Sequence, residues 1–496
     1  MPVASEILAA LRQLRRAPGY VALAIATLAV GLGANVAIFS IFRSIVLRPL
    51  PFADPARLVA LSSTNAAKAL AMPSLSASDF RDLKARARSF AALAAHRPNF
   101  VTYQPDTGDA RQLVGAMVTE DFLSVHGVPP ALGRGFAPGE FSFAAPRVAL
   151  LSHAAWRRHF GEQPEVLGRV VRLDDQPTTI VGVMPASFRE PEFVDLWVPF
   201  PVESPENLAR DSRYWTTTGR LAAGVEPSTA QAELAALADN LAREYPATNR
   251  GWSFVVSPLL EHRTGELRRS LGMLVGAVGL VLLVACVNLA NLLLARGVAR
   301  MPEFAVRLSL GATPGRLARG VVWESLLLAL AGGGLGAALV AAGLPWLAGR
   351  LPPGLVARSQ SIAVDGGALA FALAASVATG LVFGLVPAWQ VLRADVNETL
   401  KSGGARAGTG RFAGRAQAAL IAGQVALTLV VLSGASLLVR SLLNLQRTDP
   451  GFDPRGVLTL RVAPPESRWQ DFAALARYYD RLVEAVRRVP GVESAA

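Results

Sequence analysis

The chain has 496 residues, of which 52% are hydrophobic and 17% charged, and its formal net charge is +12. It is too apolar for an ordinary soluble enzyme and too mixed for a simple helical membrane bundle, so we expect membrane and polar parts in one chain. Most of the positive charge comes from arginines beside apolar runs, which favours anionic lipid over nucleic acid as a partner.

The first apolar run, residues 20–42, follows Arg12, Arg15 and Arg16. A bilayer-spanning helix needs about 20 apolar residues, and this run is long enough. A cleaved signal peptide has an apolar core of about 7–15 residues and a small-residue cleavage site, which this segment lacks. We therefore expect a retained membrane anchor.

The region after this anchor has globular character. Residues 147–152, 178–184 and 254–257 read as extended segments, and residues 230–243 read as a helix that follows the turn-forming Glu226, Pro227 and Ser228. The pattern predicts a mixed α and β domain outside the membrane.

Four further apolar runs, residues 271–294, 321–347, 368–391 and 418–439, bring the expected number of spans to five. Basic residues cluster in alternate loops, whereas the loop at 349–367 carries only Arg350 and Arg358. By the positive-inside rule, the basic side is cytoplasmic and the inserted domain lies outside.

The loop of residues 296–320 has a pattern typical of an interfacial helix. Pro302 suits a first helical turn, Glu303 and Arg307 form an i,i+4 pair, and Gly311 can end the helix before a second one begins at Pro314. An apolar stripe follows helical spacing at Met301, Phe304, Ala305 and Leu308. Two readings stay open: an elbow that transmits a push from a cytoplasmic partner to the third span, and a simple solvated connector.

Glu324 lies near the cytoplasmic end of the third run. A carboxylate at the centre of a membrane helix costs roughly 2.5–3.5 kcal/mol, and less near an end. We expect Glu324 to pair with Arg316, with Arg319 or with another helix, rather than to relay protons.

Polar and small residues inside the runs suggest contacts between helices. Asn288 and Asn291 are three residues apart in the second run and can hydrogen-bond across helices. Close packing is also expected at the small-residue pairs Gly272 with Gly276 and Gly332 with Gly336.

The fifth run repeats the first in outline. It has a basic lead-in ending at Arg415, Gly434 and Ala435 inside the span, and an Arg-Ser exit at 440–441. Asp453 and Pro454 then precede an extended stretch, as Asp54 and Pro55 do after the first run. A helix is expected at 472–488 shortly before the chain stops, which suggests a second outer domain cut off early.

Several catalytic patterns are missing from the sequence. The three lysines, Lys68, Lys84 and Lys401, follow Ala67, Leu83 and Leu400, so the Gly-Lys-Ser/Thr core of a phosphate-binding loop is not encoded. The five histidines form no His-Glu-x-x-His pair, and there is no Gly-x-Ser-x-Gly elbow. The single cysteine, Cys286, excludes an intrachain disulfide. We therefore expect no catalytic, cofactor or metal site, and no enzyme.

Taken together, the residues resemble the MacB/FtsX-type permeases of ABC transporters, in the ADOP-like branch where the permease unit is duplicated. The resemblance implies that the second unit is truncated at its C-terminal end here. The resemblance covers essentially the whole chain and rests on the arginines before Pro18-Gly19, Gly31-Leu-Gly-Ala-Asn35, Leu47-Arg-Pro-Leu-Pro-Phe52, Asp54-Pro55, Val148-Ala-Leu-Leu-Ser-His153, Trp156, Phe160-Gly161, Val181-Gly-Val-Met-Pro185, Leu196-Trp-Val-Pro199, Glu303, Arg307, Gly311-Ala312, Glu324-Ser325, Pro387-Ala388 and Leu400-Lys401. Pro302 departs from the pattern, because an arginine often stands before the glutamate.

The resemblance implies an α-helical membrane protein of about five spans with an inserted mixed α+β domain of MacB periplasmic-core type. In the expected order these are a cytoplasmic segment 1–18, span 19–43, core domain 44–268, span 269–295, coupling elbow 296–320, span 321–348, outer loop 349–367, span 368–391, cytoplasmic linker 392–415 with a short helix at 395–401, span 416–442 and the beginning of a second outer domain 443–496.

The resemblance also implies a bacterial inner-membrane location and a separate ABC-type ATPase as partner, with membrane lipid around the spans and a second permease or a second copy beside it. Residues expected to serve the ATPase-coupling elbow are Glu303, Arg307, Gly311, Ala312, Glu324 and Ser325. No nucleic-acid partner is expected.

Two other functions stay open at this point. A signalling or scaffold protein of FtsX type would regulate a cell-envelope partner without moving cargo. A secondary transporter would need functional charges near the middle of its spans, and the five runs show none there.

Overall fold

The computed structural model describes residues 3–105, 107–142, 144–201, 209–348, 364–392, 411–447, 451, 456–460, 462 and 472–495. Two compact units are present: a membrane unit, Met1–Arg48 with Thr264–Val457, and an inserted unit, Pro49–Arg263 with Leu458–Ala496. The expected helix at 395–401, most of the loop at 349–367 and most of the linker at 392–415 lie outside the described residues.

The helices, in chain order, are α1 (Val3–Arg15), α2 (Pro18–Phe42), α3 (Ala77–Arg86), α4 (Phe122–His126), α5 (His153–Phe160), α6 (Pro227–Glu244), α7 (Pro246–Asn249), α8 (Leu259–Ala299), α9 (Met301–Ser309), α10 (Pro314–Ala348), α11 (Gly366–Leu392), α12 (Arg411–Arg447) and α13 (Phe472–Arg487). A π-helical turn, Arg43–Leu47, extends α2.

Among the described residues, five helices are long and apolar enough to cross a membrane: Pro18–Leu47, Arg268–Gly297, Pro314–Trp346, Gly366–Trp389 and Ile421–Ser441. They belong to α2, α8, α10, α11 and α12, and we call them spans 1 to 5. The prediction of five spans is therefore confirmed.

Glycines allow spans 1, 3 and 4 to approach closely. A Cβ atom built at Gly336 in α10 would lie 2.7 Å from the carbonyl oxygen of Ala29 and 2.9 Å from the backbone nitrogen of Gly33 in α2. One built at Gly384 in α11 would lie 2.8 Å from the Cβ atom of Ser325 in α10. Span 3 thus packs backbone to backbone on span 1 and tightly on span 4.

The two glycine pairs singled out in the sequence differ. Gly332 and Gly336 contact α2, as predicted, and a Cβ atom at Gly332 would lie 2.5 Å from that of Leu28. No atom of the described residues comes within 4 Å of a Cβ atom built at Gly272 or Gly276. Among the described residues, close packing of helices is therefore found at the second of these glycine pairs and not at the first.

The inserted unit is built on a twelve-stranded sheet. Its strands are β1 (Leu58–Asn65), β2 (Leu70–Met72), β3 (Leu75–Ser76), β4 (Phe90–Gln104), β5 (Arg111–Val118), β6 (Leu132–Gly133), β7 (Val148–Leu151), β8 (Val170–Leu173), β9 (Gln176–Val183), β10 (Leu196–Pro199), β11 (Arg213–Leu221) and β12 (Trp252–Pro258). The main path runs β12-β1-β11-β4-β5-β10-β7-β9-β6, with β10 parallel to β5 and β7 parallel to β9.

Side chains alternate between the two faces of this sheet, as strand geometry requires. In β1, Val59 and Leu61 join one apolar cluster with Leu234 of α6, whereas Leu58 and Ala60 join a second cluster with Phe122 of α4. The extended segments predicted at 147–152, 178–184 and 254–257 correspond to β7, β9 and β12, and the predicted helix at 230–243 lies within α6. The prediction of a mixed α and β domain is confirmed.

Candidate functional site: the elbow between spans 2 and 3

The elbow consists of α9 and the turn that joins it to α10. Pro302 lies in the first turn of α9, where its missing N–H is not needed. After α9 the chain turns at Gly311, whose φ of +90° favours glycine, and the amide of Ala312 donates to the carbonyl of Arg307 at 3.0 Å. The next helix begins at Pro314, as the sequence pattern predicts.

Arg300, between α8 and α9, fixes this elbow to span 3. Its Nη1 atom lies 3.1 Å from both carboxylate oxygens of Glu324 in α10, and its Nε atom lies 3.5 Å from Glu303. The Arg300 side chain is 15% exposed and that of Glu324 only 4%. One largely buried guanidinium therefore joins the first turn of the elbow to the third span.

Glu324 was expected to pair with Arg316, with Arg319 or with another helix, and its partner Arg300 comes from outside α10, at the junction of α8 and α9. Arg319 instead pairs with Glu6 of α1 at 3.2 Å. Arg319 and Glu324 are five residues apart, and at 3.6 residues per turn this separation places them about 140° apart around the helix. The choice of partner thus depends on how α8 and α10 pack, and not on the local sequence.

The outer face of α9 combines a charge pair with exposed apolar residues. Glu303 and Arg307 form the predicted i,i+4 pair at 2.6 Å, and both are partly exposed. Phe304 turns inward and packs with Val321 and Leu317 of α10. Val306 and Leu310 face away from the bundle, and Leu310 is 81% exposed. The elbow therefore presents an apolar surface that the described residues do not cover.

Ser325 lies inside the bundle and not on this surface. It is fully buried, and its Oγ atom donates to the carbonyl of Val321 at 3.0 Å. Its neighbour across the helix contact is Gly384 of α11. Of the six predicted elbow residues, Glu303, Arg307, Gly311 and Ala312 thus belong to the elbow itself, whereas Glu324 and Ser325 belong to its attachment in span 3.

Helix α1 meets the same ends of spans 1, 2 and 3. Arg296 of α8 donates from Nη2 to the carbonyl of Gln13 at 3.4 Å, and its guanidinium lies 4.4 Å from the ring centroid of Tyr20 in α2. The pair between Glu6 and Arg319 ties α1 to α10. We call this region the arginine-rich ends of the spans. The sequence pattern did not reveal the roles of Arg296, Gln13 and Tyr20.

A second polar contact joins spans 2 and 5. Gln424 of α12 donates from Nε2 to Asn288 at 2.5 Å and accepts at Oε1 from Asn291 at 3.0 Å. Hydrogen bonding by Asn288 and Asn291 across helices was predicted and is confirmed, but Gln424 was not singled out. Within the part of the chain that the structure describes, no three His, Cys, Asp or Glu side chains are grouped to hold a metal ion.

The chain is a multi-pass membrane protein that folds into a membrane unit and an inserted unit. It combines five spans, an inserted α+β domain and an elbow that is joined to span 3 by the contact between Arg300 and Glu324. The model of the MacB-like periplasmic core domain matches residues 21–237, and that of the FtsX-like permease C-terminal domain matches residues 275–396. The chain is a member of the MacB/FtsX-type ABC permease family, with a MacB periplasmic core followed by an FtsX domain.

Similar proteins include the macrolide export ATP-binding/permease protein MacB of Burkholderia thailandensis, which is 26% identical over 295 residues, or 59% of this chain and 43% of that protein. The uncharacterized ABC transporter permease YknZ of Bacillus subtilis is 26% identical over 294 residues, or 57% of this chain and 68% of that protein. The chain therefore spans less than half the length of MacB.

Solved structures similar to part of this chain include the extracellular domain of the noncanonic ABC-type transporter YknZ from Gram-positive bacteria, with a TM-score of 0.32 and 16% identity over 40% of this chain and 99% of that one. The periplasmic region of MacB from Actinobacillus actinomycetemcomitans gives a TM-score of 0.33 and 14% identity over 46% of this chain and 95% of that one.

Proposed function

We propose that this protein is the permease subunit of an ABC transporter, which couples ATP hydrolysis by a separate cytoplasmic ATPase to motion of its extracytoplasmic domain. The motion would serve export or release of a substrate. The observation that carries this proposal is the elbow, which exposes an apolar surface and is joined to span 3 by the contact between Arg300 and Glu324.

A partner that pushes on α9 would move span 3 because the contact between them resists shear. A charge-assisted, buried pair is stronger than a neutral hydrogen bond, and Phe304 adds apolar packing against Val321. From α10 the movement would pass to α2 at Gly336 and to α11 at Gly384. Span 1 directly precedes the inserted domain in sequence. Movement of α2 would therefore be passed on to that domain.

The proposed orientation places the arginine-rich ends of the spans in the bacterial cytoplasm and the inserted domain outside the inner membrane. Arginines on one side of successive spans support this orientation by the positive-inside rule. The ATPase would meet the elbow on that side, where Val306 and Leu310 offer the apolar centre of an interface and Glu303 with Arg307 its charged rim.

The test is purification of the protein from membranes with its copurifying ATPase, comparing the unmodified chain with Leu310→Gln and Arg307→Glu. Substitution of a central interface residue at a hot spot costs about 2 kcal/mol or more, so the affinity for the ATPase should fall at least roughly thirty-fold for Leu310→Gln. Leu70→Gln, at an exposed leucine of the inserted unit, is the matched control. Unchanged ATPase recovery with both elbow variants would rule out this docking site.

The same preparation separates transport from regulation. Extrusion of a substrate from vesicles that depends on ATP and on Leu310 supports a transporter. Activation of a cell-envelope enzyme by ATP without extrusion supports the FtsX-like signalling function instead.

We also propose that α12 begins a second permease unit. The supporting observations are its basic lead-in through Arg415, its small residues Gly434 and Ala435, and its Arg440-Ser441 exit, which follow the order found around span 1. Sequencing the native gene tests this: a reading frame that continues into further apolar runs supports the duplication, and one without them contradicts it.

A further inference from the structure

Helix α1 lies on the membrane unit by one face only. Ala10 and Leu14 are buried, and Glu6, its only acidic residue, is held by Arg319 of α10. The carbonyl of Gln13 accepts from Arg296. Contacts along its length therefore fix the rotation of α1 about its own axis.

The opposite face combines leucines and arginines. Leu8 is 53% exposed and Leu11 is 41% exposed, and Arg12 and Arg15 are exposed as well. These four residues follow the spacing i, i+3, i+4 and i+7, which places them on one side of a helix. Arg16 follows and is also exposed. This face has three positive charges and no carboxylate, because the single glutamate of α1 is engaged on the other side.

The chain also restricts where α1 can lie. Only Arg16 and Ala17 separate its last residue from Pro18, the first residue of span 1. The three residue steps from Arg15 to Pro18 reach about 11 Å at most, so the end of α1 stays close to the surface of the bilayer that span 1 crosses. A helix with an apolar face and flanking arginines at that depth suits the boundary between headgroups and acyl chains.

We propose that α1 is an interfacial helix that binds anionic phospholipid, with Leu8 and Leu11 inserted among the acyl chains and with Arg12, Arg15 and Arg16 on the phosphates. Guanidinium groups pair with phosphate oxygens through two parallel hydrogen bonds, and arginines near an anionic leaflet add attraction that a neutral lipid does not supply. This proposal is independent of the ATPase, since it concerns the face of α1 that points away from α10.

The experiment uses the full chain with Cys286→Ala and Leu8→Cys, labelled with an environment-sensitive fluorophore and placed in nanodiscs. One set of nanodiscs contains phosphatidylcholine alone, and the other contains an equimolar mixture with phosphatidylglycerol. Nitroxide-bearing acyl chains report contact with lipid, and acrylamide reports contact with water. A second label at Leu11→Cys repeats the measurement one turn further along.

We expect acyl-chain quenching at residue 8, larger in the mixture than in phosphatidylcholine alone, with weak acrylamide quenching. The triple substitution Arg12→Gln, Arg15→Gln and Arg16→Gln should remove the increase caused by phosphatidylglycerol. A matched triple substitution of exposed arginines in the inserted unit, Arg147→Gln, Arg157→Gln and Arg172→Gln, should leave it unchanged.

Three results would overturn the proposal. Acyl-chain quenching that is equal in the two lipid compositions rules out a preference for anionic lipid. Strong acrylamide quenching places this face in water, and protection from both quenchers places it under protein. The comparison of lipids needs no arginine variant, so a triple variant that misfolds leaves the test decisive.

Discussion

Arg300 and Glu324 form a two-point contact in which one guanidinium nitrogen lies 3.1 Å from both oxygens of the carboxylate. The two residues are 24 positions apart in sequence, yet they join the beginning of the elbow to the buried part of span 3. Because both side chains are largely removed from water, each charge depends on the other for its stability.

Glu324→Gln should destabilise the membrane unit by about 3 kcal/mol, because removal of one partner leaves a buried charge uncompensated. The free energy of unfolding in mixed micelles measures this loss. Arg319→Gln, at an arginine that is 66% exposed in its pair with Glu6, should cost less than about 1 kcal/mol. The double variant Arg300→Gln with Glu324→Gln should recover part of the stability, and equal losses in all three variants would contradict the assignment.

Gly336→Ala and Gly334→Ala should change stability in opposite directions. A Cβ atom at Gly336 would meet the backbone of α2 at 2.7 Å, so the helices must separate, at a cost of about 1–3 kcal/mol. A Cβ atom at Gly334 meets no described atom within 4 Å, so this alanine should stabilise α10 by up to about 1 kcal/mol through its helix propensity. Thermal unfolding in nanodiscs measures both, and a loss of similar size at both positions would argue against the close contact of spans 1 and 3.

Gln424→Leu should loosen the attachment of span 5 to span 2. It removes the hydrogen bonds to Asn288 and Asn291, and such bonds between membrane helices contribute about 0.6–2 kcal/mol. Hydrogen exchange of α12 in nanodiscs should become faster. Ser436→Ala is the control, since that hydroxyl bonds to its own helix at the carbonyl of Leu432. Unchanged exchange after Gln424→Leu would mean that apolar packing alone holds α12.

The inserted unit should lose stability as the pH falls. Burial lowers the pKa of His126 to about 4 and that of His96 to about 3, against about 6.5 in an unfolded chain. The unfolded chain therefore binds more protons below pH 6.5, so the stability contribution is complete above that pH. It is lost between about pH 6.5 and 4 for His126, and between about pH 6.5 and 3 for His96.

Each of these histidines should contribute a slope of about 1.4 kcal/mol per pH unit in this window. Hydrogen exchange of β4 at a series of pH values in the intact chain measures the slope. His126→Gln should reduce it. An identical slope in both proteins would show that carboxylates, and not this buried histidine, dominate the pH response.

The sequence predicted those parts of the fold that depend on local pattern. Span 1 is recognisable because a run of apolar residues longer than about 20 has few other structural solutions. Strands β7 and β9 and helix α6 are recognisable from their periodicity and from turn residues such as Pro227. In the elbow, Pro302, Gly311 and Pro314 mark the helix ends because their backbone requirements are local.

Residues whose partners are distant in sequence were harder to predict. The pairing of Glu324 with Arg300 depends on the packing of α8 against α10, and sequence distance favoured other arginines. Gln424 carries no signal of its own, because a single amide in a span is common. Asn288 and Asn291 indicated a hydrogen bond across helices but not its partner. The pair Gly272 with Gly276 has the same four-residue spacing as the pair Gly332 with Gly336. Only the three-dimensional arrangement of the helices distinguishes the two pairs.

Helix α8 runs without interruption for 41 residues. At a rise of 1.5 Å per residue it is roughly 60 Å long, about twice the thickness of the hydrocarbon layer. A rod of that length acts as a lever: a tilt of roughly 10° about its Ala299 end would displace its Leu259 end by roughly 10 Å. A small angular change at one end of this helix would thus produce a large displacement at the other end of one continuous element.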